Sequence, residues 1–497
     1  MRRPPLALVT VTAALVAVTG AVSAVSGPEQ RRAKPSLVEV QGATAVCPDV
    51  RQTAVLQTRV SVGAAPLPAG RSATGGEVEA TLVKGVTASE VPIEEPGQVS
   101  INLGTTTTDN GVVVSATGAL ATGLEVEQVA RGRDGRYRGL ASLRCAPPGR
   151  DAWFVGAATG LVDFSVLVLA NVDDTPATVD VQVFGEKGPV DPRPGQGLTV
   201  RPHDRLVLPL DQLAPDQNHL VVHVASRQGR VAAAIRNTRM AGSTQLGFDF
   251  VPQAQPPAET VVVPGFPAGV GSRGLVIGNP GSDDVAVEIE ATVRDGQFVP
   301  QGKDQVEVPA GQTVVVGLNE LAAGSPVTAT IRSSGGPVVA GGVVVDLQQF
   351  QTTAIRELSY AGSAQALTGP ALLTDLVIDR PTESTLILTA PEEAATVVIT
   401  PIRVLGAAGD PPLARRVSIP AGRVLSFRLS TFFPPGANAR LAVEVRPEGD
   451  SGPVYATRYL RERGSRGTLT TLLTLQGPAQ LVPRPVVVGD TQAAYAD

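Results

Sequence analysis

The side chains best suited to chemistry in this 497-residue chain are few: three His, two Cys and one Trp, alongside a run of arginines. His203, His219 and His223 lie close together in the sequence. The last two flank an alternating apolar segment, NHLVVHV at 218–224. On a strand they would share one face about 13 Å apart, at ~3.3 Å per residue, which is too far for one metal ion. His203 follows Pro202 in a turn, so no metal site and no cofactor is expected. A serine-type triad would have to recruit one of these three histidines, and no G-x-S-x-G elbow accompanies them. No Gly-rich loop both follows a strand and opens a helix, as phosphate binding requires.

Acidic pairs recur at Asp173 and Asp174, at Asp283 and Asp284, and at Glu392 and Glu393. Clustered carboxylates suit calcium, which takes 6–8 oxygens. These pairs lack a DxDxDG loop, and polar hairpin turns are the expectation. Trp153, followed by Phe154, fits a core anchor against a disulfide or a facing sheet. The stretch ARGRDGRYRGLASLR at 130–144 carries Arg131, Arg133, Arg136 and Arg138 around Tyr137. On a chain with net charge −5 it is a local cationic patch, and a candidate contact for an anionic envelope polymer or lipid headgroup, with a solvated hairpin loop as the alternative.

These residues sit in short strands. VDVQVFG at 179–185, VAVEIEATV at 285–293 and LAVEVRP at 441–447 alternate apolar and polar residues. Period-two patterning rich in Val, Ile and Thr predicts half-buried strands. Turn signals recur every eight to twelve residues. No amphipathic helix of ten residues follows residue 26, although short helical turns are expected at 210–216 and 318–324.

The strands repeat. Pro202, Pro309 and Pro420 align at steps of 107 and 111 residues, and Asn171 aligns with Asn279 at a step of 108. A fainter copy spans 94–129. Four copies near this period predict an all-β chain of tandem Ig-like antiparallel β-sandwich modules. A propeller whose repeats are paired blades is the alternative. The expected boundaries are 45–148, 149–255, 256–365 and 366–465, with a linker at 27–44 and a tail at 466–497.

Residues 1–26 carry Arg2 and Arg3 before an uncharged, mostly apolar run at 6–25, and Val22, Ser23 and Ala24 resemble a cleavage site. The segment reads as a signal peptide or a membrane anchor; either places the remainder outside the cytoplasmic membrane. An even cysteine count in an exported chain favours a disulfide between Cys47 and Cys145, with two buried thiols as the alternative.

The block from Cys145 to Lys187, CAPPGRDAWFVGAATGLVDFSVLVLANVDDTPATVDVQVFGEK, is distinctive. It is similar to the actinobacterial exported family catalogued as domain of unknown function 5719, and the likeness extends over roughly residues 40–490. Two departures stand out. Val172 occupies a position where Pro is common, and the first module diverges most. The resemblance implies an exported, envelope-associated protein and supplies no catalytic residues.

Together these features predict a non-catalytic extracytoplasmic scaffold or binding module, secreted or held by its N-terminal segment. Its partner would be an envelope polymer or a membrane protein, with no nucleic acid and no membrane contact beyond that segment. The alternatives are an envelope-glycan hydrolase or transferase working through paired carboxylates, and a surface adhesin. Only 3% of residues are aromatic, which leaves few sugar-stacking platforms for the hydrolase.

Overall fold

The structure is a computed structural model. It describes residues 37–483 except 51–55, 68–74, 102–109, 133–137, 192, 243, 351–352, 378–380, 403, 408–410, 434–439, 465 and 479–480. The expected signal or anchor segment, Arg133, Arg136 and Tyr137 lie outside the described residues.

The alternating runs form strands as expected, and each repeat folds as a two-sheet sandwich. In the second module the eight strands are Asp151–Ala157, Asp163–Asn171, Ala177–Gly185, Leu198–Val200, Asp204–Pro209, Leu220–Gln228, Ala232–Ala241 and Thr244–Val251. Strands one, six, three and four make one antiparallel sheet; strands five, two, seven and eight make the other. The same order recurs from Gly42–Val50 to Gly139–Arg144, from Thr260–Phe266 to Thr353–Gly362, and from Ala371–Val377 to Gly467–Thr474.

Alternation explains the two-sheet form. In Ala177–Gly185 the residues Val179, Val181 and Val183 are buried, while Thr178, Asp180 and Gln182 turn outward. Each sandwich fills its own apolar core, as Leu373, Leu388, Ile399 and Val445 do in the fourth. Among the described residues α-helices reach only four residues, as in Asn319–Ala322. That helix and the 3₁₀ turn Leu210–Gln212 fall where short helical turns were expected.

The modules close into a ring. The eighth strands Gly139–Arg144, Thr244–Val251, Thr353–Gly362 and Gly467–Thr474 pack in that cyclic order around one axis, the fourth returning to the first. The sheet that holds strand one of each module lies on strand seven of the next module, and that of the fourth lies on the first. Close approach at the axis requires small residues. Gly247 has φ +130°, and a Cβ there would lie 2.4 Å from the Leu358 backbone nitrogen.

Two expected boundaries move. Gly467–Thr474 pairs with Tyr455–Gly464 as the eighth strand of the fourth module, so residues 466–474 are module and not tail. Gly42 to Thr44, expected as linker, already pair with Thr117 to Ser115. A separate small unit comprises the antiparallel pair Leu37–Glu39 and Leu481–Pro483.

Candidate functional site at the ring axis

The residues with unusual chemistry converge on the axis, and most are not the ones sequence reasoning singled out. Asp249, fully buried on the second module, accepts the Thr471 hydroxyl at 3.0 Å, the Ser142 backbone N–H at 3.2 Å and the Phe250 N–H at 2.8 Å. The Tyr360 backbone N–H also reaches it. One carboxyl group therefore gathers all four eighth strands. Burial pushes its pKa well above the usual carboxylate range, against the pull of those donors.

Further along the axis Arg138 donates to Glu357 at 2.8 Å and to the Arg466 carbonyl at 3.1 Å, tying the first module to the third and fourth. Burial raises the Glu357 pKa to about 8, with Arg138 opposing. At the other end, residues such as Ser142, Arg144, Pro252, Gly362 and Thr474 line a pocket of about 60 Å³. That volume admits a few waters and falls below the ~300 Å³ where ligand sites begin. A shallow groove of about 460 Å³ lies on the fourth module, where Arg416 and Glu448 pair at 2.5 Å.

Ion pairs continue outward along the junction of the first and fourth modules. Arg458 pairs with Glu127, both fully buried. Arg59 bonds Asp375 at 2.8 Å, and Ser61 bonds Thr374 at 2.7 Å. Burial raises the pKa of Glu127, while Arg458 lowers it. The first and second modules meet through Arg236 with Asp49 and through Arg205 on the Pro48 carbonyl at 2.7 Å.

The expected arginine surface is redistributed. Arg131 pairs with Glu462 of the fourth module, and Arg138 is buried on Glu357. These two guanidiniums join modules and do not project into solvent. The Cys47–Cys145 disulfide is present and links the two sheets of the first module. Trp153 is buried away from it, stacked on His223 with ring centroids 3.8 Å apart, and its indole N–H donates to Asp151 at 3.1 Å. His223 also contacts Asp151, at 2.6 Å, while His203 pairs with Asp174 and His219 with Glu186. Among the described residues no group of three or more His, Cys, Asp or Glu is placed to hold a metal ion.

The acidic turns act as local structure. Asn171 accepts the Asp173 N–H at 3.0 Å and donates to the Thr175 and Val200 carbonyls. Asn279 makes the same set to Gly281, Asp283 and Val308. Asp173 then pairs with Arg230 at 2.9 Å.

Sequence reasoning missed Asp249, Glu127, Glu357 and Arg458. A signal existed only for Asp249, which interrupts the apolar run GFDFV; Glu127 and Glu357 sit in strands of mixed polarity, LEVEQVARG and TAIRELSYAG. What no pattern contained was the partner, often more than 200 residues away.

No curated protein and no solved structure matches the chain. Among the described residues no helix is long and apolar enough to cross a membrane. Residues 99–429 match the family of unknown function DUF5719, about two thirds of the sequence, so the chain belongs to that family.

Proposed function

We propose that this protein is a non-catalytic extracytoplasmic component of the cell envelope, a rigid scaffold or binding module for an envelope polymer or a membrane-protein partner. The observation that carries the reading is the use made of ionisable groups at the axis. Asp249, Glu357, Glu127 and Arg458 are occupied in joining modules. Buried charges with mutual partners favour one specific packing, a role best attested for register and assembly. The disulfide fits an oxidising compartment, and the apolar run at 6–25 fits export.

The test is a pull-down with the purified, oxidised chain. Isolated cell-wall polymer and detergent-solubilised membrane proteins are offered separately. Saturable capture of either supports the reading and chooses between the two partners. Release of soluble saccharide from the polymer, abolished by changing one carboxylate, would replace it with the hydrolase.

A further inference from the structure

The ring has two unlike ends. All four eighth strands run in one direction, because their C-terminal ends, near Arg144, Pro252, Gly362 and Thr474, line the same axial pocket. The starts of the eighth strands and the ends of the seventh therefore share the opposite end. Loops between strands one and two join them there: the Val162 carbonyl accepts the Met240 N–H at 2.7 Å, and that of Val270 accepts the Leu347 N–H at 2.9 Å.

This end exposes aliphatic side chains on the strand one–two loops of the second and third modules and near the end of the third module's seventh strand. Leu161 is 95% exposed and Val270 71%, and Leu347 and Val162 are exposed beside them. Arg356 lies across from Leu347 in the hairpin register. Arg463 and Arg466 are exposed on the neighbouring turn, and a Cβ at Gly467 would lie 2.9 Å from the Ile355 side chain. The acids nearest the axis, Glu357 and Glu462, are buried on Arg138 and Arg131. Other exposed acids at this end sit away from the axis, Asp211, Asp216 and Glu320 in the connections after strand five and Glu186 and Asp295 after strand three. Among the described residues charge is thus segregated, with cations central and acids toward the rim.

We propose that this end of the ring is a peripheral membrane-binding face for an anionic bilayer. Leu161, Val270 and Leu347 enter the boundary between headgroups and acyl chains, and Arg356 and Arg463 meet lipid phosphates. A soluble polyanion would use the cations alone. Exposed aliphatics gain only from a surface with an apolar layer beneath it.

The test places an environment-sensitive fluorophore at the face. Both native cysteines are in the disulfide, so Leu161→Cys in the full chain is labelled with acrylodan. Phosphatidylglycerol vesicles should shift its emission to the blue, and phosphatidylcholine vesicles should not. Adding Arg356→Ala and Arg463→Ala should weaken the response at least about tenfold, at ~1 kcal/mol per arginine near the surface, and raised salt should weaken it too. An unchanged circular dichroism spectrum and melting temperature establish that this variant is folded. No shift on either vesicle, or a shift indifferent to the arginines, overturns the proposal. Inorganic polyphosphate bound by the arginines without any vesicle response replaces it with a polymer site. None of these outcomes depends on the pull-down, because the label reports only its own end of the ring.

Discussion

The junction between the second and third modules differs in kind from that between the first and fourth. Modules two and three are consecutive, and they meet mainly through apolar side chains. Val343, Leu358 and Tyr360 of the third module belong to the core cluster of the second. Modules one and four lie at opposite ends of the sequence. Their junction has apolar patches, such as Val129 and Leu140 with Leu460 and Leu469, but it also carries Arg458 with Glu127, Arg59 with Asp375 and Arg131 with Glu462. A short connection already holds neighbouring modules near their correct register. The closing junction has no such help, and apolar packing alone tolerates many registers. Buried ion pairs penalise the wrong ones, since a displaced charge is left dry and unpaired. The comparison teaches that the closing junction adds several buried charge pairs to its apolar contacts where the second–third junction relies on greasy contacts, although the consecutive first and second modules also share the buried Arg236–Asp49 pair.

The sharpest way to break this contrast is at the buried pair. Arg458→Met should destabilise the protein by about 3–5 kcal/mol, because Glu127 remains buried without its partner. The double variant Arg458→Met with Glu127→Leu should recover most of that in equilibrium denaturation. It should also form more misassembled or oligomeric species on refolding, seen by size-exclusion chromatography. A double variant as unstable as the single one would show that the pair contributes stability and not specificity.

Removal of the disulfide by Cys47→Ala with Cys145→Ala comes next. The chain-entropy model gives about 4–5 kcal/mol for a closed loop of roughly 100 residues, and the two cysteines are 98 apart. Denaturant titration should show the loss. At the apolar junction, Leu358→Ala should cost about 2–5 kcal/mol. Its double-mutant cycle with Arg458→Met should be close to additive, because the two act at different junctions.

A pH series distinguishes the axis from the apolar second–third junction. The Glu357 pKa is pushed up to about 8 from an ordinary 4.5, and that of Asp249 is also raised. A carboxyl group with a raised folded pKa binds its proton more tightly in the folded state. Its stabilising contribution is therefore full below about 4.5 and is lost as pH rises toward 8. The melting temperature should fall across that window, and Glu357→Gln should flatten the fall. A flat profile in the native protein would remove the axis as a pH-dependent element. The smallest expected effects are at the turns. Asn171→Ala and Asn279→Ala should each cost about 1 kcal/mol, and nearly equally, since both asparagines make the same three bonds. Unequal losses would mean that the copies are less alike than their hydrogen bonds.

Much of the fold was legible in the sequence because it is local or periodic. Val179, Val181 and Val183 alternate, and alternation has one physical reading on a pleated strand. Pro202, Pro309 and Pro420 mark the same turn in successive modules because proline fixes φ and ends a strand. Asn171 and Asn279 were legible only as an aligned pair at a step of 108. Arg131 and Arg138 were not legible. Their stretch reads as a solvated cationic hairpin, and only the approach of Glu462 and Glu357 from other modules turns two of its arginines into internal ion pairs. Gly467–Thr474 was misread as tail because a Gly, Ser and Arg-rich turn, RERGSRGT, imitates a linker.

The sequence by itself determined the all-β class and the fourfold repeat, which follow from spacing along the chain and residue type; it favoured the cysteine pairing and pointed to the family through the resemblance of the Cys145–Lys187 block. Only the tertiary structure decided that four sandwiches close on one axis, that Asp249 gathers four strands there, and that Arg458 meets Glu127. Those contacts join residues hundreds of positions apart. A single sequence carries no period or motif for them, and their energy exists only once water has been excluded from the closed ring.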